Sequence, residues 1–162
     1  MIEIDPTAKI SALADIEDSI RGTRIVIGAR VTIDAFVKIK PAGGSGNVVI
    51  GEDTAINSGC VFYSGNGIQI GVACAIAANC TFAPTNHEYK QRDVPIRQQR
   101  FRPGKGGVVI GDDVWIGANC VLLDGAIVGD GCVIAAGTIV RGKLEPYGVY
   151  GGNPIRKLGE RE

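Results

Sequence analysis

Aliphatic side chains return every six residues along most of this chain. Steps from Ile110 land on Ile116, Leu122, Val128, Ile134 and Val140. Earlier stretches keep the same step, through Ile4, Ile10 and Ile16, then Ile27, Ile33 and Ile39, then Ile50, Ile56 and Phe62, then Ile70, Ile76 and Phe82. Four places after each stop in the second half stand mostly small residues: Val114, Cys120, Ala126, Cys132 and Thr138. An α-helix repeats near 3.6 residues and a half-buried strand near 2, so a six-residue period fits neither. A solenoid does fit: one short strand and one turn per six residues, three such units per coil, each aliphatic ladder forming an inward column. Ile-Gly or Val-Gly opens successive coils, at Ile27-Gly28, Ile50-Gly51, Ile70-Gly71, Ile110-Gly111 and Val128-Gly129. The pattern predicts a single all-β domain over residues 1–162, with about six coils between about 4 and 145 and a tail at 146–162.

The period slips near Gly22–Val26, near Ser45–Val49 and near Ile68–Gln69, and it breaks between Ile70 and Ile110. That break fits one coil plus an excursion over 88–109, a long polar loop of the kind that carries function. The loop holds Lys90, Arg92, Arg97, Gln98, Arg100, Arg102 and Lys105, and His87 stands at its base as the only histidine in the chain. That position is off the inward columns, so a buried structural role does not suit it.

Composition narrows the classes. Seventeen basic and seventeen acidic residues cancel, which gives no footprint for nucleic acid, and no apolar run is long enough to insert in a membrane. The opening MIEIDPTAKI lacks the form of a signal peptide, so a cytoplasmic protein is expected. Twenty-four glycines suit many tight turns. The five cysteines, Cys60, Cys74, Cys80, Cys120 and Cys132, all occupy the small inward slot and read as buried hydrophobes, not as a disulfide or zinc set. No metal is expected.

The segment CAIAANCTFAPTNHEY, followed by VVIGDDVWIGANCVLL, resembles the hexapeptide-repeat acyltransferases, in the branch that O-acetylates maltose, galactosides and polysaccharide sugars. The resemblance implies a left-handed parallel β-helix, a homotrimer and acetyl-CoA as donor. It implies His87 as the catalytic base, with Asn57 on the acceptor; Asn86, Arg97 and Gln98 are further acceptor candidates. An imidazole is well placed to take a hydroxyl proton near neutral pH and return it to a leaving thiolate. Trp115 is expected beside the donor channel. Small residues Gly117, Ala118, Ala135 and Ala136 would give the pantetheine arm a narrow surface. Arg141, Lys143, Arg156 and Lys157 would meet the nucleotide phosphates. Where galactoside and maltose members carry acidic residues, this chain has Ser64, Gly65 and Asn66, a departure at the acceptor end.

The expected function is therefore acetyl transfer from acetyl-CoA to a sugar hydroxyl, in surface polysaccharide or lipopolysaccharide biosynthesis, with a glycan or small molecule as acceptor. Two alternatives stay open. One is an N-acetyltransferase of a nucleotide-linked amino sugar, although such enzymes usually carry an extra N-terminal α/β domain. The other is a non-catalytic β-helix scaffold. A zinc-dependent carbonic anhydrase of this fold needs three histidines at the metal, and one per chain excludes it.

Overall fold

The computed structural model describes residues 1–162. The chain winds as a triangular prism of three parallel sheets, each strand stacking on the one a coil earlier. The first sheet holds β1 (Ile2–Ile4), β4 (Ile25–Ile27), β7 (Val48–Ile50), β10 (Ile68–Ile70), β13 (Val108–Ile110), β16 (Ala126–Val128) and β19 (Lys143–Leu144). The second holds β2 (Lys9–Ile10), β5 (Thr32–Ile33), β8 (Ala55–Ile56), β11 (Ala75–Ile76), β14 (Trp115–Ile116), β17 (Val133–Ile134), β20 (Gly148–Gly151) and β21 (Arg156–Glu160). The third holds β3 (Asp15–Ile16), β6 (Lys38–Lys40), β9 (Val61–Tyr63), β12 (Thr81–Ala83), β15 (Val121–Leu123) and β18 (Ile139–Val140). Six full coils result, and β19 and β20 begin a seventh.

Register is strict because like sits on like. Ile70 pairs with Ile50 on one side and Ile110 on the other, and Ile76 with Ile56 and Ile116. Phe62 and Phe82 stack with ring centroids 4.5 Å apart. A slip of one residue would turn each ladder outward, so the columns hold the register. The end coil departs from the expected continuous column: Ile4 is exposed, and Ile10 and Ile16 are only half-buried, because nothing stacks beneath them.

The glycines that open coils have a packing reason. A Cβ on Gly51 would lie 2.4 Å from the Gly71 carbonyl oxygen, so the stacked coils leave no room for a side chain there. The small inward slot also has a chemical duty. Turn carbonyls that point into the prism need donors. The Sγ of Cys60, Cys74, Cys80, Cys120 and Cys132 each lies 3.1–3.2 Å from such an oxygen, on Ala77, Gly111, Gly117, Ala135 and Glu145 respectively. All five thiols are free and buried.

Two boundaries differ from the sequence reading. First-sheet strands bury two alternate residues, such as Ile68 and Ile70, where a six-residue step counts only one. Residues 25–26, 48–49, 68–69 and 108–109 are therefore strand, and the long excursion runs over 84–107. Residues 146–162 include β20 and β21, the latter folding back antiparallel on β20 and covering that end of the second sheet. The chain has no helix long and apolar enough to cross a membrane.

Candidate active site

Every slip of the period falls on one edge of the prism, where the third sheet passes to the first. The long excursion leaves and returns there. Its base is tied, not loose: His87 and Phe101 form an antiparallel bridge, the Glu88 N–H donates to Arg100 O at 2.9 Å, and the Arg102 N–H donates to Asn86 O at 2.8 Å. At the tip, Ile96–Gln98 make one 3-10 turn. The Gln99 amide holds the tip closed, donating to Gln91 O and Val94 O.

The returning stem is anchored by Asp124, which is 7% exposed. Its carboxylate accepts the N–H of Lys105 at 2.8 Å and of Gly107 at 2.9 Å, and the Asn66 amide at 3.1 Å. Sequence reasoning passed over Asp124, because an Asp-Gly pair after a strand reads as an ordinary turn. Its partners are backbone groups of a loop whose path the sequence does not show.

His87 is exposed at this edge, and its ring tilts against Phe101 with centroids 4.7 Å apart. Ala42, Gly43, Tyr63, Thr85, His87 and Phe101 line a hollow of about 260 Å³. Glu88, the sequence neighbour, does not orient the imidazole. Its carboxylate accepts the N–H groups of Tyr89 and Lys90 and meets the Arg102 guanidinium at 3.5 Å. The Tyr89 N–H foremost, then Lys90 and Arg102, hold this carboxyl below the usual range. Arg102 also lies over the Tyr89 ring, 4.1 Å from its centroid.

The expected acceptor residues do not gather around His87. Asn86 is its neighbour and is exposed, but it serves the loop base through its carbonyl. Arg97 and Gln98 lie on the exposed tip, outside the hollow's lining. Asn57 follows β8 at another edge, where the second sheet passes to the third, and donates to Ile76 O at 2.9 Å. It lines a separate hollow on the second sheet, with Lys9, Thr32 and Asp34. Of the departure residues, Ser64 is fully buried and cannot touch an acceptor.

The expected donor residues also divide. Trp115 is 55% exposed on the second sheet between Ala75 and Val133, beside a hollow of about 340 Å³ that Arg161 also lines. Gly117, Ala118, Ala135 and Ala136 follow β14 and β17, at the edge between the second and third sheets. Gly117 is required by stacking in any case, since a Cβ there would sit 2.5 Å from the Ala136 nitrogen. Arg156 and Lys157 are exposed on β21, bordering the same face, with Lys157 paired to Glu160. Arg141 and Lys143 belong elsewhere, at the edge where the third sheet passes to the first; Lys143 pairs with Glu145 at 3.1 Å. One chain therefore presents His87 on the edge between the third and first sheets and Trp115 on the face of the second.

No group of three or more histidine, cysteine, aspartate or glutamate side chains is placed to hold a metal ion. The chemistry this edge offers is that of an exposed imidazole, against an aromatic ring and over a narrow backbone floor.

The prism and its excursion define a class. Residues 107–142 match the family model described as bacterial transferase hexapeptide (six repeats). These residues carry that family's repeat, and the chain's fold is the left-handed parallel β-helix that the resemblance implied. Among particular relatives, a probable macrolide acetyltransferase of Lysinibacillus sphaericus is 34% identical over 115 residues, 61% of this chain and 63% of that protein. The putative lipopolysaccharide biosynthesis O-acetyl transferase WbbJ of Escherichia coli K12 is 27% identical over 140 residues, 83% of this chain and 68% of WbbJ. The solved hexapeptide-repeat acetyltransferase VCA0836 of Vibrio cholerae, in complex with acetyl coenzyme A, superposes with a TM-score of 0.71 at 29% identity, over 84% of this chain and 70% of that one. The chain spans less than two thirds of the length of the Lysinibacillus relative.

Proposed function

We propose that this protein transfers the acetyl group of acetyl-CoA to a hydroxyl of a sugar, with His87 as general base. The observation that carries the reading is the placement of the chain's only histidine, exposed in a hollow at the base of a tied loop. In the proposed step a ring nitrogen takes the acceptor's hydroxyl proton as its oxygen bonds to the thioester carbon. The C–S bond then breaks and the proton passes to the CoA sulfur. Support for the donor comes from the relatives named as acetyltransferases and from acetyl-CoA bound in the V. cholerae protein. WbbJ supports a surface-polysaccharide acceptor.

In this reading the working form is a homotrimer. His87 lies on an edge and Trp115 on the face of the second sheet, and a neighbouring copy about a threefold axis can bring that edge to that face. The reaction is placed in the cytoplasm, with its donor.

The test is an acceptor screen with released thiol as readout, offering hydroxyl sugars beside an amino sugar and a macrolide. Wild type should release CoA with a hydroxyl sugar, and His87→Ala should lower that rate about 10²–10⁴-fold. CoA should still raise the melting temperature of the variant. A folded, CoA-binding His87→Ala protein with wild-type turnover would remove His87 from the mechanism. Turnover of the amino sugar or the macrolide alone would replace the sugar hydroxyl.

A further inference from the structure

A second hollow, of about 420 Å³, adjoins that of His87. It is lined by Arg21, Gly43, Gly44, Arg100 and Phe101, and it shares Gly43 and Phe101 with the first. The two form one depression with unlike ends. Tyr63, Phe101 and Thr85 give the His87 end a mostly apolar wall. Two guanidinium groups give the other end its charge. Neither Arg21 nor Arg100 belongs to any ion pair, and no carboxylate lines either hollow.

The two arginines come from distant parts of the sequence. Arg21 lies on the connection from β3 to β4, and Arg100 on the returning arm of the long loop. Arg100 is held at φ 62°, left-handed backbone that bulky residues rarely adopt. Its carbonyl accepts the Glu88 N–H in the loop base, which fixes that conformation next to Phe101. Gly44, which lines the hollow with both arginines, is required by coil stacking, since a Cβ there would stand 2.2 Å from Gly65 O.

We propose that the acceptor is a sugar bearing a phosphoryl group, its ring beside His87 and Phe101 and its phosphoryl oxygens between Arg21 and Arg100. Guanidinium groups match phosphoryl oxygens with paired N–H donors, and both arginines are exposed at the hollow with no carboxylate engaging them. The aromatic wall suits the carbon face of a pyranose. This rests on the reading of His87 as base only for which end of the ligand reacts. Anion capture can be measured without turnover.

The test is calorimetry with four probes: glucose 1-phosphate, methyl glucoside, glucuronate and inorganic phosphate. They are titrated into wild type, Arg21→Gln, Arg100→Gln, Arg100→Lys and the loop control Arg92→Gln. Glucose 1-phosphate should bind tightest, and less tightly as salt rises. Each glutamine variant should raise its Kd at least tenfold, Arg100→Lys should fall between, and Arg92→Gln should match wild type. Circular dichroism and the CoA-induced melting shift report that the variants are folded. Equal affinity for glucose 1-phosphate and methyl glucoside, or an unchanged Kd in both glutamine variants, would overturn the proposal. So would inorganic phosphate binding as tightly as the sugar phosphate, tighter binding of glucuronate, or no binding of any probe. If sugar phosphate binds as expected and no acetyl transfer occurs, the base reading fails and this one stands. If transfer proceeds on neutral sugars alone, the reverse holds.

Discussion

At the scale of single residues, the cysteines show how one slot can serve packing and hydrogen bonding together. Burial foremost holds the Cys74 and Cys132 thiols above their ordinary range. Cys60 shifts the other way, chiefly through the side chain of Cys80 in the next coil, yet it is fully buried and out of a reagent's reach. Reaction of a cysteine needs both thiolate and access. All five should therefore resist iodoacetamide at pH 8 in the folded protein and react together once guanidinium unfolds it. Mass spectrometry of the alkylated chain reads the count, and a native thiol that reacts within minutes would contradict the slot. His87 is the opposite case. The single histidine was legible as a site candidate in the sequence, but its neighbours were not, since Phe101 and Tyr63 approach it only through the loop base and the adjoining coil.

At the scale of elements, two interactions carry separable loads. The Phe62–Phe82 stack sits on a column, and Phe82→Ala should cost about 3–5 kcal/mol by lost burial and a cavity. Guanidinium denaturation reads this as a lower midpoint with the same slope. Asp124 holds the loop stem. Asp124→Ala leaves two backbone N–H groups without their carboxylate, a loss of about 1.5–3 kcal/mol for each charge-assisted bond before water replaces it. Hydrogen exchange should quicken at Lys105 and Gly107 far more than in the coil strands. The expected loop residues Arg97 and Gln98 belong to the tip, so Arg97→Ala should leave acceptor KM within about twofold. A large rise would restore the tip to the site.

At the scale of the whole molecule, the separation of His87 from the Trp115 surface makes a specific demand. If a neighbouring copy completes the site, mixing His87→Ala and Trp115→Ala subunits by unfolding and refolding should recover activity that neither variant has alone. Sedimentation should show a trimer at micromolar protein. A monomer with full activity, or mixtures no better than the sum of their parts, would confine the site to one chain. CoA at a hundred times its Kd should stabilise the assembly by about 2.7 kcal/mol.

The sequence by itself determined the prism. A six-residue alternation of aliphatic, small and turn residues has one economical solution, because columns of like side chains close only when coils stack in register. It also marked where the period breaks and that the only histidine stands at the longest break. It could not say that all the breaks share one edge facing one depression. Nor could it say that Arg21 and Arg100 line one hollow, that Asp124 anchors the stem, or that Asn57 and Arg141 stand on different edges. Those relations join residues up to 79 positions apart, and no short period encodes them. The path of the irregular loop decides them, and that path depends on backbone hydrogen bonds to Asp124, Asn86 and Arg100 that form only once the coils have stacked.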